Sequence, residues 1–209
     1  MKPAADANRE KRERSAERLI AIGASAGGVE ALTRLVAELP ADLPAAVVVV
    51  LHLSPDLPSN LAHILAHDGP LPAMKARDGD LLQPGLILVA AAGHHLVVQD
   101  GRARLLDGAP VNRVKPAIDP LFQSAAREYG PRLVAVILTG TLDDGSAGLV
   151  AVRQAGGVAV VQDPSDAAYS EMPQRALDAA GADHCVPLKE IAPLLERLAR
   201  QRREAGRPA

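Results

Sequence analysis

The 209-residue chain has no tryptophan and only three aromatic residues, Phe122, Tyr129 and Tyr169. Three rings are too few for a platform on which bases could stack. Charges of the two signs nearly cancel, leaving a formal net charge of −2 at pH 7. No global positive field therefore draws the chain to nucleic acid or to an anionic membrane. Cys185 is the single cysteine, which excludes disulfide scaffolding within the chain and is compatible with a reducing compartment. The opening stretch "MKPAADANREKRERSAERL" lacks the apolar region of a signal peptide. The longest strongly apolar run, "AAVVVVLHL", falls far short of the ~18 residues of a membrane span. These absences lead us to expect a soluble, cytoplasmic protein, with no nucleic-acid binding and no membrane insertion.

Apolar residues nevertheless make up 48% of the chain. A chain of this length buries about 70% of its unfolded surface, so a substantial aliphatic core is available. Short Val/Ile/Leu runs bounded by Gly or Pro occur at "LIAIG", "AAVVVVLHL", "RLVAVILTG" and "GGVAVVQ". Each precedes a stretch with helical spacing, such as Val29, Leu32, Val36 and Leu39, or Ile191, Leu194, Leu195 and Leu198. This alternation predicts an α/β fold: a doubly wound, mostly parallel sheet flanked by helices on both faces. One segment departs from it. "LILVAAAGHHLVVQDGRARLL" reads as three strands with a hairpin turn at Asp100-Gly101, an antiparallel excursion near 86–106. Asp119 and Pro120 then read as the cap and first residue of a helix. Residues 1–18 form a charged leader and 201–209 a similar tail, both expected to be disordered, around one domain at 19–200.

The loop "IAIGASAGGVEAL" admits two readings. Gly23-x-Ser25-x-x-Gly28 is one substitution from a dinucleotide-binding loop, and Gly23-x-Ser25-x-Gly27 is a nucleophile elbow. A dinucleotide site calls for glycine at position 25 and an acid after the second strand, where this chain has Ser25 and His52; Asp56 is a weak substitute. A later strand runs into "TLDDGSAG", which carries Asp143 and Asp144. Sites in open α/β sheets form beyond the carboxyl ends of the strands, and Ser, His and Asp at three such ends suit nucleophilic catalysis. Imidazole takes the serine proton, and a carboxylate orients the ring and stabilises the imidazolium. The order Ser, His, Asp differs from that of α/β-hydrolases. Each residue also has a plainer role: Ser25 as a helix cap, His52 as a structural histidine, and Asp143 or Asp144 as a cap of the following helix. On the residues alone, hydrolase and nucleotide-binding module both stand.

The ordered set "IGASAGGVEAL", "VVVVLHLSP", "NRVKPAIDPLF", "VILTGTLDDGSAGL", "VVQDPSDAAYSEMPQRAL" and "ADHCVPLKEIAPLL" resembles the CheB-type protein-glutamate methylesterases of bacterial chemotaxis over about residues 18–198. The resemblance implies Ser25 as nucleophile, His52 as general base and Asp144 as acid, with Asp143 at a variable position. It implies hydrolysis of methyl esters on glutamate side chains in the cytoplasmic helices of methyl-accepting chemoreceptors, and deamidation of receptor glutamines in many members. No metal or organic cofactor is called for. A separate receiver protein or a methyltransferase is a further candidate partner. Ala26, Thr141 and Met172 are candidates for the oxyanion site and pocket.

Three positions depart from the family pattern. A charged leader stands where better-known members carry a phosphoacceptor receiver domain. The loop before the acid often reads Gly-Met-Gly, and here it is Gly140-Thr141-Leu142. Ala26 replaces a threonine found in several members. A receptor-docking scaffold with weak catalysis is therefore a further alternative. Other residues have bland expectations. His63 and His67 share helical spacing but lack the third ligand and the glutamate of a zinc-protease motif, which suggests a surface role. His94-His95 reads as a solvated turn, Cys185 as a small core residue on the last strand, and "NRVKP" as a solvated basic loop. Met172 and Pro173 read as a helix start near the cleft, with Arg175 close by.

Overall fold

The computed structural model describes residues 15–52 and 60–201. Asp56, the Ser-Pro of "HLSP", and most of the leader and tail lie outside the described residues. In chain order the elements are β1 (Leu19–Ala24), α1 (Gly28–Ala37), β2 (Ala46–Leu51), α2 (Leu61–Asp68), β3 (Ala73–Lys75), β4 (Ile87–Val89), β5 (His95–Gln99) and β6 (Arg102–Leu106). After them come α3 (Ile118–Tyr129), a 3₁₀ turn (Gly130–Arg132), β7 (Leu133–Ile137), α4 (Ser146–Gln154), β8 (Val158–Gln162), α5 (Glu171–Ala180), β9 (His184–Val186) and α6 (Leu188–Arg200).

Seven strands form one parallel sheet in the order β3-β4-β2-β1-β7-β8-β9. The central strands β1, β2 and β7 are buried along their whole length. That explains their continuous Val/Ile/Leu/Ala runs, because both faces of a parallel sheet are covered. Alternate residues feed two cores. Ile20, Ile22, Val47 and Val49 pack with α1, α2 and α6, whereas Leu19, Ala21, Val48 and Val50 pack with α3, α4, α5 and the β5–β6 hairpin. In α6, Ile191, Leu194, Leu195 and Leu198 are all buried as their spacing predicts. In α1 the buried stripe is instead Ala31, Leu32, Leu35 and Val36, and Val29 is exposed.

The chain leaves β1 toward β2 on one side and later returns to β7 on the other. The winding direction thus switches at β1, and a crevice opens at the carboxyl ends of β1, β2 and β7. Among the described residues no helix is long and apolar enough to cross a membrane.

The antiparallel excursion is shorter than expected. The hairpin at 95–106 forms, and its turn residues Asp100 and Gly101 have φ of 53° and 67°, as a two-residue primed turn requires. Ile87–Val89, however, pairs in parallel with β2 and β3. All three of its residues are buried, which suits an inner strand of the main sheet. The Asp119 cap does not form either. Helix α3 starts two residues earlier, with Ala117 as its extended flanking residue and no capping bond from its own side chain. Ala16, within the segment read as leader, is buried and donates its N–H to the Leu82 carbonyl.

Candidate active site

Three strand ends meet in the crevice. The Ser25 N–H donates to the Thr139 carbonyl (3.0 Å), and the His52 N–H donates to the Ala24 carbonyl (3.1 Å), so both residues are fixed one step beyond the sheet. Ser25 does not cap α1: the flanking residue is Gly27, left-handed at φ 73°, without a side-chain capping bond. Gly28 lets the helix approach β2, since a Cβ there would lie 2.5 Å from the Leu51 Cδ1. Gly140 lets the loop after β7 approach the serine, since its Cβ would lie 2.8 Å from the Ser25 Cβ.

The side chains then line up. Ser25 Oγ is 3.2 Å from His52 Nδ1, and His52 Nε2 is 2.7 Å from Asp144 Oδ2. An imidazole protonated at Nε2 donates to the carboxylate and leaves Nδ1 free to accept the serine hydroxyl proton. Asp143, by contrast, is exposed.

Asp144 is 2% exposed and accepts three further bonds. The Ile118 N–H reaches Oδ2 at 2.6 Å, the Asp119 N–H reaches Oδ1 at 3.2 Å, and Asn112 Nδ2 reaches Oδ1 at 2.8 Å. The carboxylate thus occupies the N-terminus of α3, where free amides and the helix dipole favour negative charge. That is why α3 needs no cap of its own. Burial is the largest influence on Asp144 and opposes ionisation. The hydrogen bonds from His52, Ile118 and Asn112 outweigh it together and hold the carboxyl below its ordinary value. Asp119 moves the other way. Burial raises it first, the Gly148 N–H bond opposes that, and the Asp144 charge raises it further.

Asn112 joins the two acids, donating to Asp119 Oδ2 at 2.9 Å as well as to Asp144. It sits on a tight turn closed by Val111 and Val114, with Asn112 and Arg113 both left-handed at φ 51° and 66°. The loop bearing this turn is fastened by His95, which is buried rather than solvated. His95 Nε2 donates to the Ala109 carbonyl (3.0 Å) and Nδ1 accepts the Ala117 N–H (3.2 Å). The "NRVKP" segment is thus part of the site. The sequence carries only a faint signal for this, an asparagine able to adopt a left-handed turn.

On the opposite side, Thr139 Oγ1 donates to the Ala26 carbonyl (3.0 Å) and accepts the Tyr169 N–H (2.8 Å), which ties the serine loop to the loop after β8. The backbone N–H groups of Ala26 and Thr141 have no acceptor among the described residues. Met172 is fully buried, and its Sδ lies where a Gly140 Cβ would meet it at 2.9 Å, so it backs the wall instead of lining open space. Arg175 pairs with Glu171 at 3.6 Å.

The remaining candidates lie elsewhere. His63 and His67 are exposed on α2, and His67 contacts Asp68 at 2.7 Å. His94 is half exposed, 3.2 Å from Asp107. Cys185 is exposed, not core: β9 is the sheet edge, and the thiol is pushed up by partial burial and then by the Asp163 charge.

The family model described as CheB methylesterase matches residues 20–195. A protein-glutamate methylesterase/protein-glutamine glutaminase of Anaeromyxobacter dehalogenans is 41% identical over 182 residues, covering 87% of this chain and 53% of the relative. One from Xanthomonas campestris is 42% identical over 196 residues, covering 92% and 54%. The chain spans about half the length of these relatives. The crystal structure of the Thermotoga maritima CheB methylesterase catalytic domain superposes with a TM-score of 0.82 at 32% identity, covering 87% of this chain and 98% of that domain. The matched span holds all three strand ends that carry Ser25, His52 and Asp144, and the chain belongs to the CheB methylesterase family.

Proposed function

We propose that the protein is a cytoplasmic serine hydrolase that removes methyl esters from glutamate side chains of chemoreceptors and deamidates receptor glutamines by the same route. The observation that carries this reading is the unbroken relay from Ser25 Oγ through His52 to Asp144, at 3.2 and 2.7 Å.

Ser25 Oγ attacks the side-chain carbonyl carbon while His52 Nδ1 takes the hydroxyl proton. Asp144 holds the ring and stabilises the imidazolium. The N–H groups of Ala26 and Thr141, which have no acceptor among the described residues, suit the oxyanion that forms. Collapse expels methanol, or ammonia from a glutamine, with the proton returned by His52. The product is a glutamyl ester on Ser25. Water then attacks this ester, His52 takes its proton, and the breakdown returns that proton to the serine and frees glutamate.

The test is methanol release from a methylated receptor fragment. Ser25→Ala and His52→Ala are expected to reduce it by at least about 10³-fold. Release by Ser25→Ala at the wild-type rate would overturn the reading. Receptor binding by the wild type without release would mark a docking scaffold instead.

A further inference from the structure

Leu142 is placed unfavourably in two respects. Its φ is 65°, the left-handed region where a Cβ crowds the following carbonyl. The residue is also 53% exposed, so much of its apolar surface gains nothing from packing. Strain of this kind persists only where surrounding structure imposes it, and it gathers at functional sites. The imposing contacts are visible. The Leu142 N–H donates to Glu171 Oε2 at 3.1 Å, and Glu171 pairs with Arg175 at 3.6 Å. The Gly140 N–H donates to the Tyr169 carbonyl, and the Met172 N–H to the Gly140 carbonyl, both at 3.0 Å. The loop after β7 is thus fixed to the start of α5, and the leucine is held outward.

Tyr169, 49% exposed, stands on the neighbouring loop. Its ring edge lies 3.2 Å from where a Gly27 Cβ would be, so it borders the serine loop. Gly140, two residues before Leu142, abuts Ser25. Two exposed apolar side chains therefore project from loops that touch the nucleophile's own loop. Each remains about half exposed within the described chain.

We propose that Leu142 is a specificity-determining residue. It packs on an apolar side chain next to the ester-bearing glutamyl residue of a protein substrate, and Glu171 and Arg175 are the positioning residues that hold it there. This rests on the methylesterase reading above. A small ester has no such neighbour and gains nothing from the contact.

The experiment compares a methylated receptor fragment with p-nitrophenyl acetate. Leu142→Gly accommodates the backbone, so a folding defect does not obscure the result; Leu142→Ser is a second variant that keeps a Cβ. KM for the receptor fragment rises about tenfold in both, and the preference for the fragment over the small ester, as a ratio of kcat/KM, falls by a similar factor. Glu171→Ala gives a smaller loss of preference. Glu171→Gln, whose amide oxygen still accepts the Leu142 N–H, restores it. A receptor KM within twofold of wild type in both Leu142 variants would overturn the proposal alone. Absence of methanol release by the wild type would overturn the methylesterase reading and this proposal with it.

Discussion

The two sides of the crevice are built differently. On the acid side, Asp144 is buried and receives donors from His52, Ile118, Asp119 and Asn112. On the serine side, the loop after β7 carries a strained and exposed leucine, and the backbone N–H groups of Ala26 and Thr141 have no acceptor among the described residues. One side supplies its catalytic carboxylate with four donors from inside the molecule. The other leaves donors and apolar surface open. The contrast separates two tasks. Orienting a base needs a carboxylate whose charge and position are fixed before substrate arrives. Recognising a substrate needs groups whose partners are not yet present, and these weaken the free protein.

Breaking the satisfied side at its centre has the largest expected effect. Asp144→Asn places an amide where three backbone or side-chain donors and the imidazole require an acceptor. The histidine tautomer then favours a proton on Nδ1, facing the serine. Changes of this type lower kcat by about 10⁴-fold. A loss below tenfold in methanol release would mean that the acid side does not orient the base.

Asn112→Gly tests the same side one step out. Glycine accommodates the left-handed turn, so only the amide is lost. Its two bonds are charge-assisted, and losing such a bond costs about 1.5–3 kcal/mol of stability, with kcat falling roughly 10–100-fold as the acid loosens. The stability loss depends on pH. Asp144 is held below its ordinary value, so its stabilisation is present above the unfolded value of about 3.9 and is lost as pH falls through the lowered one. Asp119 is raised, so its ionisation weakens the fold as pH rises through the raised value. Asn112 favours the charged form of both. Its removal is therefore most damaging near neutral pH; the penalty eases in acid, first as Asp119 takes up its proton through its raised value and then as Asp144 does so through its lowered one. Urea midpoints of wild type and variant that fail to converge in acid would show that Asn112 acts through packing.

The sequence discloses these two sides unequally. Ser25, His52 and Asp144 are legible because each follows an apolar strand run, and glycines mark the loop of the first and the turn after the last. Their meeting depends only on the winding of a parallel sheet. Asn112 and His95 are not legible. Asn112 reaches an acid 32 positions away, and His95 bonds a backbone amide 22 positions away. No local period encodes such contacts. Position in the sheet is hidden in the same way. The aliphatic β4 and the segment of Cys185 both read as strand, yet one is an inner strand and the other lies on the edge. The Asp100-Gly101 turn is read correctly, but it does not reveal that the strand before the hairpin belongs to another sheet. Asp119 has the residue type of a cap, and Asp144, from a distant loop, fills that place.

The smallest expected effect compares the two sides directly. Besides Asn112, the acid side has Arg113 in the left-handed region on the same turn, and the serine-side loop has Leu142. Replacing either with glycine removes the Cβ conflict and stabilises the fold by about 1 kcal/mol. For a domain of this size that is a rise in Tm of about 2–4 °C. The backbone therefore responds alike on both sides. Function does not. Arg113→Gly leaves the Asn112 amide in place and retains wild-type kcat and KM on the receptor fragment, whereas Leu142→Gly gains stability and loses substrate affinity. A rise in KM in Arg113→Gly matching that of Leu142→Gly would place recognition on the acid side as well, and the division of labour between the two sides would fail.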